Sequence, residues 1–364
     1  MKRIKVNLDK QSSLSHDICI GHNILDRMGL VIAKVTLAHR YTVITDSNVS
    51  ALYGKEILGV LKEVNVKADL IEFPAGESSK NMDTVLSITR KLIDRGVDRS
   101  SALIALGGGV TGDITGLIAS IYMRSIPYIQ VPTTLMAQVD SSIGGKTGID
   151  LPEGKNLLGT FFQPQAIFID LRFLKTLPDD EFVNGLSEVV KYAIIDDVDL
   201  FNLLEEKSGT IRDRDPDVLE TIVERSCKIK KGIVEIDEKD MGVRRILNFG
   251  HTIGHAIEAE SGYTIPHGNA VSVGMIAAAR ISERMKYLSS EDRDRIQQLV
   301  RAAGLADYIP ASISTEGIIS KTRVDKKKEG GSIHFVLLKK IGMPFINGSV
   351  EEALIYKTIE ELKK

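Results

Sequence analysis

The sequence predicts an α/β protein with an N-terminal Rossmann-like parallel-sheet domain, followed by a mostly α-helical domain. Short apolar runs alternate with helical patterns through the first half of the chain. A glycine-rich turn follows one of these runs, and after Pro178 nearly all patterns are helical. We therefore place the domains at residues 1–177 and 178–364.

In the first half, each apolar run ends in turn residues and gives way to a helical pattern. Apolar runs of this length, separated by helices, are typical of buried parallel strands. The predicted strands are 41–45, 68–73, 102–106 and 128–131, and the predicted helices are 51–64, 83–95 and 114–121.

The second half is predicted to be helical, apart from one late hairpin. The predicted helices are 179–195, 218–235, 251–260, 271–285 and 290–303, and the hairpin is 332–346, broken at 340–342.

Composition narrows the class of protein. The 47 basic and 49 acidic residues give a net charge of −2, so nothing indicates a nucleic-acid partner. No run reaches the roughly 18 apolar residues of a membrane span, and the N-terminus lacks the apolar core of a signal peptide. Two distant cysteines indicate no disulfide framework. We expect a cytoplasmic protein without membrane or nucleic-acid partners.

The glycine turn after the predicted strand 102–106 indicates a nucleotide site. Gly107, Gly109 and Gly112 fit the pattern G-x-G-x-x-G, in which backbone N–H groups at the start of a helix face a pyrophosphate. The acid expected about twenty residues further on is missing. Asp46 and Glu77, at the ends of earlier strands, are alternatives for binding ribose, although each alone is an ordinary turn residue.

A second glycine cluster, at 144–147, superficially matches a P-loop. It fails because Asp140 stands where the first glycine of that motif is required. The cations nearby, among them Arg124, Lys146 and Lys155, instead suit an anionic small molecule.

Three histidines indicate a metal site. His251 and His255 are four residues apart on one predicted helical face, and His267 follows closely. Glu188 lies on another predicted helix, and two or three histidines with one carboxylate suit catalytic zinc. The alternative is that these histidines are packed and hydrogen-bonded without a metal.

Taken together, the motifs resemble those of the 3-dehydroquinate synthase family of sugar-phosphate cyclases. The resemblance runs from about residue 46 to residue 342. The motifs are Gly-Gly-Gly-Val-Thr-Gly-Asp at 107–113, Pro-Thr-Thr at 132–134, Asp-Ser-Ser-Ile-Gly-Gly-Lys-Thr-Gly at 140–148, Gly-Lys-Asn at 154–156, Glu-Val-Val-Lys at 188–191 and Leu-Asn-Phe-Gly-His-Thr-Ile-Gly-His-Ala-Ile-Glu at 247–258.

The resemblance implies NAD, one divalent metal (zinc or cobalt), 3-deoxy-D-arabino-heptulosonate 7-phosphate as substrate, and a homodimer. The implied metal ligands are Glu188, His251 and His267. The implied NAD residues are Asp46, Asn48, Glu77, Lys80, Gly107, Gly108, Gly109, Asp113, Thr133, Thr134 and Lys155. The implied substrate residues are Asp140, Lys146, Asn156, Lys191, Lys230, Arg244, Asn248 and His255, with Arg124 reaching across the dimer interface and Lys327 or its neighbour Lys326 at the phosphate.

The sequence departs from the family's pattern at position 240. Asp240 stands where the family frequently has a glutamate, and its carboxylate is set back by one methylene, which puts a role for this position in doubt. Three other functions stay open at this point: an NAD- and metal-dependent alcohol or glycerol dehydrogenase, a cyclase whose substrate lacks a carboxylate, and a dinucleotide-sensing binding module.

Overall fold

The computed structural model describes residues 1–6, 15–328 and 334–364, and for residues 6 and 324–328 it describes the backbone alone. The described chain forms two compact units. The first comprises Met1–Leu177 and Lys230–Lys239, and the second comprises Pro178–Ile229 and Asp240–Lys364. The sequence-based division assigns 230–239 to the second domain, whereas this segment packs within the first unit.

The first unit is built on a seven-stranded sheet of order β1-β2-β9-β6-β5-β3-β4. Only β1 is antiparallel to its neighbour, so the predicted fold class is confirmed. Its strands are β1 (Lys2–Val6), β2 (His16–Gly21), β3 (Arg40–Asp46), β4 (Ala68–Phe73), β5 (Ser101–Gly107), β6 (Tyr128–Pro132) and β9 (Ala166–Asp170).

Helices cover both faces of this sheet. Every residue of the central strand β5 is buried, and its side chains alternate between two cores. One core includes Met28 and Leu61 from helices on one face, and the other includes Ile88 and Ile118 from the opposite face. The helices of this unit are α1 (Leu25–Val35), α2 (Ser47–Val49), α3 (Lys55–Glu63), α4 (Met82–Asp94) and α5 (Gly109–Ile121).

A hairpin lies outside the main sheet and was not predicted. Strands β7 (Lys146–Leu151) and β8 (Gly154–Phe161) pair with each other in antiparallel fashion. Its sequence is rich in glycine and was interpreted only as a source of ligand-binding residues.

The second unit is helical with one hairpin, as predicted. Its core helix α6 (Asp179–Ile195) is buried almost all round after its second turn. The other elements are α7 (Val198–Glu206), α8 (Ser208–Arg212), α9 (Pro216–Ile236), α10 (His251–Glu260), α11 (His267–Arg284), α12 (Ser290–Ala302), α13 (Thr315–Lys328), β10 (Phe335–Lys340), β11 (Met343–Asn347) and α14 (Glu352–Glu360). The end of α9 belongs to the first unit.

The predicted elements recur with small shifts. The main correction concerns α11, which begins at His267 rather than at residue 271, because Pro266 has a fixed φ of −57° that suits entry into a helix. The predicted helix at 51–64 begins earlier, with α2 and a π-helical turn over Ser50–Gly54. In the described part of the chain, no helix combines the length and apolarity needed to cross a bilayer.

Candidate active site

The glycine turn lies at the carboxyl edge of the parallel sheet, where ligands of α/β proteins bind. Helix α5 starts at Gly109, directly after β5, so its first N–H groups point out of the turn. A Cβ atom on Gly107 would lie 2.3 Å from Thr111 Oγ1, and one on Gly108 would lie 3.0 Å from Thr134 Cγ2. The backbone of the turn therefore packs against these two threonines too closely for a side chain at either glycine.

The proposed ribose acid Asp46 is held beside this turn. Its Oδ1 accepts hydrogen bonds from the N–H groups of Asn48 and Val49, at 3.0 and 3.1 Å, which caps α2. Its Oδ2 accepts a hydrogen bond of 3.3 Å from the hydroxyl of Thr111. The cap therefore fixes the carboxylate at the nucleotide edge of the sheet.

Thr133 and Thr134 follow β6 at the same edge. The N–H of Thr133 donates to the carbonyl of Gly107 at 2.9 Å, and the hydroxyl of Thr134 accepts from the N–H of Ala137. Glu77 occupies the corresponding place after β4. The sheet thus brings together, at one edge, the sequence-predicted cofactor residues that follow β3, β4, β5 and β6.

A buried lysine joins the glycine-turn helix to the hairpin. Lys80 Nζ lies 2.6 Å from Asp113 Oδ2 and donates to Asn156 Oδ1 at 2.6 Å. Burial opposes the charge of this ammonium, but Asp113, Glu77 and Asp150 outweigh it and raise the pKa of Lys80. Because Asn156 Oδ1 is taken by Lys80, the amide nitrogen is the end of that side chain suited to an anionic ligand.

Asp150 fixes the tip of the same hairpin. Its N–H donates to the carbonyl of Lys80 at 2.8 Å, and its Oδ1 accepts from the N–H of Asn156 at 2.8 Å. Asn156 has a φ of +56°, in the left-handed region that asparagine tolerates. Lys155 precedes it in β8. Sequence analysis missed Asp150, since a single acid in a strand carries no local signal.

Asp140 and Lys230 meet, although ninety positions separate them. Lys230 Nζ lies 2.6 Å from Asp140 Oδ1 and 2.8 Å from the Asp140 carbonyl oxygen. This contact ties the segment Lys230–Lys239 to the first unit. Lys146 is exposed at the start of β7, where the preceding Gly145 has a φ of +67° and packs against Gln163.

Arg124 lies on a strained turn. Met123, Arg124 and Ser125 have φ values of +51°, +70° and +92°, three consecutive non-glycine residues in an unfavourable region. Such strain is concentrated at functional sites. The side chain of Arg124 is exposed.

In the second unit, three candidate metal ligands converge. Donor atoms of Glu188, His251 and His267 all lie within 4.8 Å of one another. Nε2 of His251 and Nε2 of His267 lie 3.5 and 3.7 Å from the same atom, Glu188 Oε1. That oxygen is buried and has no hydrogen-bond partner among the residues that the structure describes, so the donor set fits a divalent cation.

The charges around Glu188 keep it ionised. Lys191 forms a buried ion pair with Glu188 Oε2, one helical turn further on. Burial opposes the carboxylate's charge, but Lys191 and the two histidines hold the pKa of Glu188 well below its usual range. Burial would also lower the pKa of His267, but Glu188 and Glu258 raise it to about 9.

His255 lies beside this cluster but is not one of the residues whose donor atoms converge with those of Glu188. Its ring centroid lies 5.1 Å from that of His251 and 5.9 Å from that of His267. Desolvation and the two neighbouring imidazoles lower the pKa of His255, so it is neutral at pH 7 and can accept a proton. A second donor set, His255, Glu258 and His267, overlaps the first.

The remaining predicted residues are less closely grouped. Arg244 is buried in the 3-10 turn Val243–Asn248, and Asn248, at the end of that turn, is exposed. The side chains of Lys326 and Lys327 lie outside the described residues. Asp240 has a φ of +59°.

Fold and site define a class of enzyme: a nucleotide-binding α/β domain joined to a helical unit with a carboxylate–histidine metal cluster. The comparisons with known proteins identify the family. Residues 70–184 match the 3-dehydroquinate synthase N-terminal family, and residues 185–328 match the 3-dehydroquinate synthase C-terminal family. The chain belongs to the 3-dehydroquinate synthase family, and the resemblance predicted from its motifs is confirmed.

Curated relatives agree over most of the chain. A 3-dehydroquinate synthase of Acidithiobacillus ferrooxidans is 47% identical over 87% of this chain and 87% of its own length. One of Desulforamulus reducens is 42% identical over 99% of this chain and all of its own length.

Solved structures of related cyclases share the whole fold. The 2-epi-5-epi-valiolone synthase of Streptomyces hygroscopicus subsp. jinggangensis 5008, with NAD+ and Zn2+ bound, is 28% identical, with a TM-score of 0.90 over 98% of this chain and 99% of its own. A 2-deoxy-scyllo-inosose synthase complexed with carbaglucose-6-phosphate, NAD+ and Co2+ is 28% identical, with a TM-score of 0.89 over 99% of this chain and all of its own. An iron-containing alcohol dehydrogenase, 17% identical with a TM-score of 0.63 over 95% of this chain and 97% of its own, shows similarity of fold alone.

Proposed function

We propose that the protein is a 3-dehydroquinate synthase, converting 3-deoxy-D-arabino-heptulosonate 7-phosphate to 3-dehydroquinate and phosphate. One observation carries the proposal: relatives with that name are 40–47% identical over most of the chain, whereas the valiolone and inosose synthases are 28% identical. The reaction is redox-neutral overall, and the ketone formed at C5 acidifies the C6 proton, so that phosphate leaves. Ring opening and an intramolecular aldol step then close the carbocycle.

The residues present fit both groups that the family implies. Asp46, the glycine turn and the threonines after β6 would hold NAD, and Glu188, His251 and His267 would hold zinc or cobalt. When bound, NAD+ would accept a hydride and later return it, and the metal would lower the pKa of substrate hydroxyls.

The phosphate of the substrate is assigned to Lys146, Asn156 and Arg124. The exposed ammonium of Lys146 and the amide nitrogen of Asn156 are both donors in the hairpin of the first unit. Groups that only donate hydrogen bonds suit a phosphate dianion, because each hydrogen bond to the dianion is charge-assisted. Lys326 or Lys327 stays a further prediction for the same group.

The substrate carboxylate is assigned to Lys230 and Arg244, both buried. Asp140 shares the ammonium of Lys230, so it holds that cation in place and can orient a substrate hydroxyl. Two cations held in fixed positions suit a carboxylate, because each hydrogen bond to it is charge-assisted.

Lys191, His255 and Asn248 complete the assignment around the substrate hydroxyls. Lys191 is committed to Glu188, so we assign it to keep that carboxylate ionised and to hold it in one orientation. His255 is neutral at pH 7 and would relay the C6 proton toward the departing phosphate, which can itself collect that proton. Much of the rate enhancement would then come from positioning and electrostatics.

We also propose the homodimer, with Arg124 serving the neighbouring chain's site. Its support is an apolar surface in the first unit, which we call the hairpin patch: Ile121, Met123, Leu157, Leu158 and Phe161, all exposed. Thr160 Oγ1 donates to Ser120 Oγ at 2.9 Å, which holds β8 against the end of α5 and so joins the two parts of the patch. Within the described residues β8 pairs with β7 alone, and an exposed apolar edge of this kind suits a second copy of the chain. The cytoplasmic location stays a prediction.

A matched pair of substrates tests the assignment against a cyclase of the inosose type. The heptulosonate phosphate carries a carboxylate and glucose 6-phosphate does not, so the unaltered protein should turn over only the former efficiently. Arg244→Ala should lower kcat/KM for the heptulosonate phosphate, and the loss should correspond to roughly 2–5 kcal/mol of transition-state binding free energy. Preferential turnover of glucose 6-phosphate would contradict the substrate assignment, and an equal loss on a carboxylate-free analogue would make Arg244 structural.

A further inference from the structure

The proposed function leaves one buried carboxylate beside the metal cluster without a role. Glu258 lies in the last turn of α10, with 3% of its surface exposed. Its Oε2 lies 3.1 Å from Nδ1 of His267, which begins the next helix. The sequence-based assignment of site residues did not include it.

This contact determines which nitrogen of His267 faces the cluster. A neutral imidazole has one N–H donor and one acceptor nitrogen. With Nδ1 donating to Glu258, the lone pair is on Nε2, the atom 3.7 Å from Glu188 Oε1. Without an acceptor at Nδ1, either nitrogen could carry the proton.

His251 is arranged in the same way by a different partner. Its Nδ1 lies 3.1 Å from the carbonyl oxygen of Phe249, and its Nε2 lies 3.5 Å from Glu188 Oε1. Both histidines therefore turn Nε2 toward one oxygen of one glutamate. For His251 the partner is backbone, and for His267 it is the side chain of Glu258.

The packing of α10 against α11 holds Glu258 and His267 together. A Cβ on Gly274 would lie 1.9 Å from the carbonyl oxygen of Gly250, and one on Gly254 would lie 2.9 Å from Cα of Val271. The two helices thus approach closely through glycines, which leaves little freedom for His267 to swing away from Glu258.

We propose that Glu258 is a positioning residue for the metal site, fixing the tautomer and ring orientation of His267 so that Nε2 is the ligand atom. The inference rests on the proposed function only in taking Glu188, His251 and His267 as the ligands. Carboxylates that accept the second N–H of a ligand histidine raise its basicity and orient its ring.

The overlapping donor set offers a different role for the same residue. There, Glu258 would be a ligand together with His255 and with Nδ1 of His267. The hydrogen bond between Glu258 and His267 argues against it, because a cation at Nδ1 would have to replace that proton and separate the two groups. The two roles differ in stoichiometry, which an experiment can measure.

The test is the affinity of the full-length protein for Zn2+, measured by competition with a chelator. Glu258→Gln should weaken binding by on the order of 10–100-fold while keeping one ion per chain. Glu260→Gln is the matched control. Glu260 lies on the same helix, but its carboxylate packs over Gly317, so the affinity of this variant for Zn2+ should be unchanged. The visible spectrum of the Co2+ form should shift in Glu258→Gln and not in the control.

A second measurement needs no variant. In the zinc-loaded wild-type protein, ¹H–¹⁵N spectra should place the remaining ring proton of His267 on Nδ1. A proton on Nε2, an unchanged zinc affinity in a folded Glu258→Gln protein, or loss of a whole metal equivalent would each overturn the inference. None of these measurements uses the substrate, so a chain that binds zinc as expected but fails to release phosphate would contradict the proposed function and leave this inference standing.

Discussion

Metal binding at neutral pH should release close to one proton per chain, and that proton should come from His267. In the metal-free protein Glu188 and Glu258 raise the pKa of His267 to about 9. At pH 7.5 the ring is then mostly protonated, and it must lose that proton to become a ligand. The pKa of His251 is lowered, chiefly by burial, and that of Glu188 lies well below its usual range, so neither adds a proton.

The same reasoning sets the pH dependence of metal affinity and its sign. Because the folded, metal-free state binds a proton that the loaded state lacks, affinity should fall as pH falls below about 9. Between pH 8.5 and pH 6.5 the apparent dissociation constant should rise by on the order of 100-fold, or about 3 kcal/mol.

Calorimetry in buffers of different ionisation enthalpy counts the released protons, and chelator competition across pH gives the affinities. His267→Ala should bind metal far more weakly and without proton release, because this variant lacks both a ligand and the group that carries the proton. His255→Ala should retain both the metal and the proton release. If the unaltered protein released no proton at pH 7.5, or if His267→Ala showed full metal occupancy, His267 would not be the ligand that loses a proton.

Two further predictions concern the dimer and the buried lysine. If Arg124 serves the neighbouring site, mixing inactive Arg124→Ala and Lys146→Ala proteins should restore activity, because one site of each heterodimer has both groups; no recovery after verified subunit exchange would argue against this. Lys80→Met should lower the free energy of unfolding by roughly 3 kcal/mol, the lower end for breaking a buried pair, since the side chain of Asp113 is 17% exposed. Chemical denaturation measures this, and adding Asp113→Asn should restore much of the loss; an unchanged stability in Lys80→Met would show that the pair contributes nothing.

Much of the fold followed from local pattern. Strand β4 and helices α6 and α10 lie where apolar periodicity placed them, because each buries a face that its own sequence defines. The hairpin β7–β8 was missed because both strands contain glycine and neither alternates between buried and exposed residues, so the sequence gives no period-2 signal. Helix α13 was missed for a related reason, since the charged run that ends it was interpreted as a loop.

The candidate site shows the same division between local and long-range information. Helical spacing alone brings His251 and His255 to one face, and Glu258, three residues after His255, could have been found by the same rule. The pairing of Asp140 with Lys230 could not have been predicted from the sequence, because it depends on how the end of α9 packs into the first unit. The resemblance to the family predicted that Asp140 and Lys230 both belong to the site, and the structure shows that they contact each other.

We expect the protein to eliminate phosphate in a reaction with no net redox change. The most direct measurement is to incubate the metal-loaded protein with NAD+ and 3-deoxy-D-arabino-heptulosonate 7-phosphate, following phosphate release and NADH absorbance together. We expect phosphate and 3-dehydroquinate in equal amounts, with catalytic NAD+ and no accumulation of free NADH. Stoichiometric NADH, or NADH without phosphate, would contradict the proposed function and favour a metal-dependent dehydrogenase.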